Sequence, residues 1–343
     1  MTSRSTVRIG FLGAGLIAAF HSKMLRAAGD LVERAGVFDI DAGRAAAFAR
    51  ASGHRVCESV DEVLGGCDAV YVCTWTSEHR ALVERAARRG VAVFCEKPLG
   101  TSLSDATAMA EAVEASGVVN QVGLVLRHSP AWALARHWVH QPAAGRLMAV
   151  VFRDDQFIPT QGHYASNWRA DVRRAGAGAL LEHSVHDLDM LEHVAGPVES
   201  VCAHTSSFHG IDGIEDVANV LLRFANGASG SLVSVWHDNL HRASQRHVEL
   251  ISERRMVTLD GNDYLGPVSH EDGDGSTRTL EGDALVDAAA GILEAGANAD
   301  VAFVRAVLTG DRAYPGFPFA VRAQSLADAC YRSAAEGGSV VAV

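Results

Sequence analysis

Two stretches of this chain carry groups able to move a proton. The run Gly178-Ala179-Leu180-Leu181-Glu182-His183-Ser184-Val185-His186-Asp187-Leu188-Asp189 sets two histidines and three carboxylates into an apolar background. As one α-helix it would stack Glu182 and His186 on one face at i, i+4, with Asp189 at i+3 from His186. A histidine titrating near neutrality is suited to take a proton from an alcohol while hydride leaves the same carbon. Glu182 would orient the substrate or the imidazole. The bland alternative is a core helix whose histidine is satisfied by a backbone carbonyl. A metal site from Glu182, His183 and His186 has little support, because Glu-His-x-x-His is not the zincin order and the spacing offers no further ligand; no metal is expected.

The other stretch is Cys95-Glu96-Lys97-Pro98, which follows a short apolar run. Ligands of open α/β sheets bind beyond the carboxyl ends of the strands, so Lys97 is expected beside a ligand. A partly buried amine there would hydrogen-bond a substrate hydroxyl and join in proton transfer. The alternative is an exposed loop lysine paired with Glu96.

The elements that must position these groups begin at Val7-Arg8-Ile9-Gly10-Phe11-Leu12-Gly13-Ala14-Gly15-Leu16-Ile17-Ala18, and an apolar run ends in Asp39 21 residues after Ala18. Gly13 permits a tight strand-to-helix turn, Gly15 admits a pyrophosphate to the backbone N–H groups, and Ala18 lets helix and strand pack closely. The helix start adds the positive end of its dipole. Asp39 would accept hydrogen bonds from the adenosine ribose and repel a 2′-phosphate, which points to NAD rather than NADP. A signal peptide is the rival for residues 1–20, with Arg4, Arg8 and the apolar stretch from Ile9 to Phe20. It does not explain the helical stripe Leu16, Phe20, Met24 and Leu25 or the buried-type strand Leu31 to Phe38 that follow in register.

From Val7 to Leu126 short apolar strands alternate with helices, as in a doubly wound parallel sheet covered on both faces. After Arg127 longer strands dominate, at Leu147 to Ile158, Val198 to Phe208, Val217 to Ala225, Ala228 to His237, His247 to Ser252 and Met256 to Asp260. Asn226-Gly227 is a hairpin signal. The fold class expected is therefore α/β with an N-terminal Rossmann sheet, then an α+β domain on an open, largely antiparallel sheet. The domains are placed at 1–126 and 127–343, with the last helix, about 319–336, a candidate to pack back on the first. Residues 261–298, rich in Gly, Asp and Ala, read as irregular.

With 343 residues and 48% hydrophobic content, the chain can build two cores. A net charge of −11 without a clustered cationic stripe argues against nucleic acid. Arg85, Arg88 and Arg89 read as a solvated helix face. No apolar run approaches the ~20 residues of a bilayer span, so no membrane partner is expected. Six dispersed cysteines without C-x-x-C spacing suit reduced thiols in a cytoplasm.

Taken together, Gly13-Ala14-Gly15-Leu16-Ile17-Ala18, Glu96-Lys97-Pro98 and Gly178-Ala179-Leu180-Leu181-Glu182-x-x-x-His186-Asp187-x-Asp189 resemble the Gfo/Idh/MocA family (glucose-fructose oxidoreductase, inositol dehydrogenase, rhizopine catabolism). The terminal run Ala323 to Val343 also resembles that family's closing helix and strand. The resemblance implies an NAD-dependent oxidoreductase taking hydride from a secondary alcohol of a sugar, anhydrosugar or inositol-like polyol, with Lys97 and His186 catalytic. It also implies an open sheet whose outer face forms homodimers or homotetramers. Glu182 stands where the family often has Asp, and Trp75 where it usually has Pro. Gly13, Gly15, Leu16, Ile17, Asp39, Arg44, Thr74, Thr76, His79, Glu96 and Lys97 are expected on the cofactor. Lys97, Arg127, Trp168, Arg169, Glu182 and His186 are expected on the substrate. Alternatives are an NAD-dependent glycosidase working through a transient 3-keto sugar and a non-catalytic NAD(H)-binding sensor or partner subunit.

Overall fold

Six short runs pair in parallel: β1 (Val7–Leu12), β2 (Val32–Phe38), β3 (Arg55–Val56), β4 (Ala69–Val72), β5 (Ala92–Cys95) and β6 (Asn120–Val122), in the order β3-β2-β1-β4-β5-β6. The computed structural model describes residues 5–161, 165–239, 241, 243–262, 264–293 and 298–343. Between these strands run α1 (Leu16–Met24), α2 (Ala42–Ser52), α3 (Val60–Gly66), α4 (Thr76–Arg88) and α5 (Leu103–Ser116). β4 and β5 are buried at every position, and because side chains alternate across a strand they feed two cores. Val70, Val72, Val93 and Cys95 pack with Val63, Val83 and Met109 of α3, α4 and α5. Tyr71 and Phe94 pack on the other face with Ala18 of α1 and Phe48 of α2. Ser59 and Ser102 start α3 and α5 by accepting from the amides of Glu62 and Asp105. After β6 the chain leaves the sheet at Gly123, where a Cβ would lie 2.6 Å from a Glu96 oxygen. The helix carrying the stripe Leu16, Phe20, Met24 and Leu25 stops at Met24 and continues as a 3₁₀ segment, Leu25–Leu31, broken at Gly29.

The second unit starts at Leu126. Its helices are α6 (Pro130–Val139), α7 (Val172–Ala175), α8 (Val185–Ala195) and α9 (Gly282–Ala289). Its strands are β7 (Leu147–Phe157), β8 (Val198–Ser206), β9 (Val217–Phe224), β10 (Ser229–His237), β11 (Gln245–Ser252), β12 (Arg255–Asn262), β13 (Gly266–Asp272), β14 (Thr277–Leu280) and β15 (Val341–Ala342). They form one nine-stranded sheet in the order β14-β13-β12-β11-β7-β10-β9-β8-β15, antiparallel except for β7 beside β10. Asn226-Gly227 closes the β9–β10 hairpin, Gly227 at φ 88°. One sheet face buries Val150, Phe152, Val220, Leu232, Leu250 and Val257 against Trp132, Leu188 and Leu326. On the other, Val151 and Leu221 are 39% and 61% exposed. The irregular stretch expected at 261–298 is corrected: β13, β14 and α9 lie within it, although Asp263 and 294–297 are outside the described residues. Val268 and Leu285, both fully buried, anchor that segment; two apolar residues so far apart leave no periodic signal.

The segment expected at 127–343 is not all in the second unit. α10 (Ala299–Thr309) packs Val301, Phe303 and Val304 into the first unit's core. It is held there by Gln121, whose amide donates to the Ala299 carbonyl, and by Asp300, whose Oδ1 lies 2.8 Å from Nδ1 of the buried His21. α11 (Phe317–Ala335) begins with Phe317 and Ala320 in a first-unit core and continues in the second unit from Arg322.

The turn before α8 is not α-helical. Ala179–His183 forms a single π turn, in which Ser184 N–H reaches the Ala179 carbonyl. Its amide donors are satisfied from a distant loop and from α11: the Glu215 carboxylate accepts from Gly178 and Leu180, the Glu215 carbonyl from Ala179, and the Tyr331 hydroxyl from Leu181. Gly178 lies flat on that loop, where a Cβ would come 1.9 Å from the Glu215 carbonyl oxygen.

Gly178→Ala is therefore expected to destabilise the protein by about 1–3 kcal/mol through overpacking against main chain, read as a lower Tm. The first unit should also lose stability in alkali. Asp300 and Glu96 outweigh burial and raise His21 from its usual 6.5 to about 10. Its folded-state proton therefore stabilises fully below about pH 6.5 and progressively less as pH rises through 10. Tm should fall across that window, and His21→Asn should flatten the fall.

Candidate active site

The glycine turn has the shape a dinucleotide needs. Gly13 sits at φ +91°, and a Cβ there would lie 2.4 Å from the Cys73 carbonyl oxygen. Gly15 has open space where its Cβ would be, and α1 starts on it without a side-chain cap, leaving its first N–H groups available to a phosphate. Leu16 and Ile17 at the same turn are exposed. Asp39 closes the region: Oδ2 accepts from the Ala14 amide at 2.8 Å, while Oδ1 accepts from the Asp41 amide and from Arg44 Nη2 at 3.0 Å. Three donors on a carboxylate with about four lone-pair sites leave room for a ribose hydroxyl. These residues fit NAD, whose nicotinamide supplies a hydride acceptor when bound.

Beyond β4, Trp75 starts α4 at φ −64°, ψ 147°, a backbone conformation that proline also adopts. Thr74 Oγ1 donates to the Trp75 carbonyl at 3.3 Å, and Thr76 is buried in the first turn. The His79 side chain is buried; Nδ1 lies 3.1 Å from the Pro98 carbonyl and Nε2 3.3 Å from that of Thr74. It ties the β4 and β5 loops together, and burial holds its pKa down. Glu96 also points inward, with Oε1 2.7 Å from His21 Nε2 and Oε2 accepting from the Lys97 amide at 3.1 Å. Lys97 occupies the next position, at the carboxyl end of β5. It is one of only two lysines, with Lys23, among 30 basic residues.

In the second unit the expected single helix from Glu182 to Asp189 is replaced by the π turn and α8, with Ser184 between them. The i, i+4 stacking of Glu182 on His186 therefore does not describe this segment. Glu182 is buried and accepts from Arg169 Nε at 2.6 Å, and the Arg169 guanidinium lies 4.8 Å from the Trp168 ring centroid. A small core of Ile158, Ala175, Ala179, Ile214 and Trp236 underlies this stretch. Arg127 braces α8. Nε and Nη2 donate to Asp189 at 2.8 and 2.7 Å, and Nη1 lies 3.3 Å from His193 Nδ1. Burial and then Arg127 push His193 down to about 3, so its neutral ring can accept that bond.

Behind His186, Arg246 joins strands to helix: Nε donates to Asp187 at 2.9 Å, and Nη2 lies 3.0 Å from Asp154. Burial, then the Asp154 charge, raises Asp187 to about 7. Asp154, His183 and Asp187 bring ligand-type atoms within 4.8 Å of one another. They share only His183 with the metal set weighed from sequence, and the arginine already supplies a cation to both carboxylates. His21, Asp300, Asp154, Arg246, Glu215 and Tyr331 were not singled out from sequence, since each meets its partner from a distant segment.

A family model described as an oxidoreductase family with NAD-binding Rossmann fold matches residues 7–124, and one for the GFO/IDH/MocA C-terminal domain matches residues 132–258. The 1,5-anhydro-D-fructose reductase of Ensifer adhaerens is 33% identical over 67% of this chain and 68% of its own length. Inositol 2-dehydrogenase of Rhizobium meliloti (strain 1021) is 30% identical over 96% of this chain and 98% of its own. A solved levoglucosan dehydrogenase in complex with NADH and levoglucosan has a TM-score of 0.85 at 22% identity, covering 98% of this chain and 99% of that one, a likeness of fold. The chain belongs to the Gfo/Idh/MocA family of NAD-dependent oxidoreductases.

Proposed function

We propose that this protein oxidises a ring secondary alcohol of a neutral sugar, anhydrosugar or cyclic polyol to the ketone with NAD, Lys97 and His186 handling the hydroxyl. The observation that carries this reading is the Glu96–Lys97 turn: Glu96 folds inward onto His21, and the chain's rare lysine follows it at the carboxyl end of β5. The relatives named for 1,5-anhydro-D-fructose and inositol support a ring polyol as substrate.

His186 takes the hydroxyl proton as the carbinol carbon gives up hydride, and the Lys97 ammonium holds the oxygen while negative charge develops on it. Arg169 fixes Glu182, which accepts from a neighbouring substrate hydroxyl, with Trp168 giving the sugar an apolar edge. Arg127 acts through Asp189, keeping α8 and hence His186 in place.

The exposed sheet face around Val151 and Leu221 is the surface through which two copies would pair. Among the described residues, no helix is long and apolar enough to cross a membrane. The six free thiols, five of them buried, support a reducing cytoplasm.

Lys97→Ala and His186→Asn should each lower kcat by about 10² to 10⁴ in a folded protein, followed at the NADH absorbance over a panel of sugars, anhydrosugars and inositols. Near-normal turnover in either sinks the mechanism. Asp39→Ala should raise the KM for NAD at least about tenfold and admit NADP, because removing one carboxylate frees Arg44 for a 2′-phosphate. Leu221→Arg should shift the protein to a smaller species in light scattering; an unchanged mass would move the interface elsewhere.

A further inference from the structure

His21 is a fully buried titratable side chain that the mechanism above does not use. We propose that His21 is a positioning residue for Lys97, acting through Glu96 from a clamp between Glu96 and Asp300; the assignment rests on the catalytic reading of Lys97.

His21 Nε2 lies 2.7 Å from Glu96 Oε1 and Nδ1 lies 2.8 Å from Asp300 Oδ1. A neutral imidazole has one N–H, so donating to both carboxylates requires the imidazolium. Its surroundings leave it nowhere else to go. Tyr71 and Phe94 approach with ring centroids at 5.4 and 4.8 Å from β4 and β5. Phe303 of α10 lies edge-on to both of those rings. The other titratable groups facing this network are the Tyr71 phenol and the thiols of Cys73 and Cys95, which burial keeps neutral, and Lys97 beside Glu96.

A buried carboxylate–imidazolium–carboxylate triad is a poor way to stabilise a core, since well-packed apolar residues commonly do as well or better. What it does here is fix the Glu96 carboxylate. One oxygen is held by His21 and the other by the Lys97 amide, while Gly123 packs so close that a Cβ would meet Oε1 at 2.6 Å. Despite its burial, Glu96 is kept low by His21 and therefore ionised. The backbone of Lys97 is pinned by that anion, and the lysine's charge has a fixed counter-charge beneath it. Because His21 lies on α1, the helix that starts at Gly15, the clamp ties the dinucleotide turn to the lysine turn, and Asp300 brings α10 into the same register.

The chain's two lysines make this measurable without turnover. Lys23 is exposed, so Lys23→Arg leaves Lys97 as the single lysine. In that background, ¹³C-dimethylation of Lys97 and NMR titration report its environment directly. His21→Asn should displace the Lys97 midpoint by half a pH unit or more and lower kcat at least tenfold, with the Kd for NADH changed less than threefold. Asp300→Asn, which keeps His21 and provides the test if His21→Asn does not fold, should displace the same signal. Val113→Ala, a cavity in the other core of this unit, should lower Tm and leave the Lys97 signal in place. A Lys97 titration that superimposes on the parent in the folded His21 or Asp300 variant overturns the proposal, as does an equal displacement in Val113→Ala. If the parent oxidises no alcohol, the catalytic reading fails while the NMR result still decides whether His21 governs Lys97.

Discussion

β4 and β5 bury every side chain, Ala69 to Val72 and Ala92 to Cys95, so neither strand has a face on which chemistry can occur. The reactive groups must therefore be carried past the carboxyl ends, where the chain is released from the ladder. What happens there follows from close packing. Gly13 presses on the Cys73 carbonyl, His79 bridges the carbonyls of Thr74 and Pro98, and Glu96 turns back under the sheet end. Each contact removes a degree of freedom from a loop that would otherwise be mobile. Lys97 owes its position to these neighbours and not to the strand it follows.

The second unit solves a different problem. A π turn leaves backbone donors outside a regular ladder, and buried donors without acceptors are costly. Glu215 and Tyr331 supply acceptors from remote parts of the chain. The arginines of this region come matched to carboxylates: Arg169 with Glu182, Arg127 with Asp189, and Arg246 with Asp154 and Asp187. In a medium of low polarity an unpaired charge is far more expensive than a paired one. These pairs orient the segment bearing Glu182 and His186.

Much of this was open to reading from residue order alone. The glycine turn, the acidic end of β2, the parallel alternation to β6 and the Asn226-Gly227 hairpin all have local signatures, because turn sterics and burial periodicity act within a few residues. The failures also have local causes. Glu182 to Asp189 has helical spacing, but the flat approach of Gly178 to Glu215 diverts it into a π turn. β14 is an edge strand and β13 its inner neighbour, and both have too few apolar residues to register as strands. The inward turn of the His79 and Glu96 side chains has no signature in local spacing.

The order of residues by itself determined the two fold types, the dinucleotide turn and the candidates Lys97 and His186, since each depends on what a short segment can bury or leave exposed. Only tertiary structure decided what those side chains rest on. His21 meets Asp300 279 positions away, Leu181 meets Tyr331 across 150, and Asp187 meets Arg246 across 59. Such pairings follow from two burial patterns meeting in space, and a charge placed in a core is defined by its partner, which no local spacing reveals.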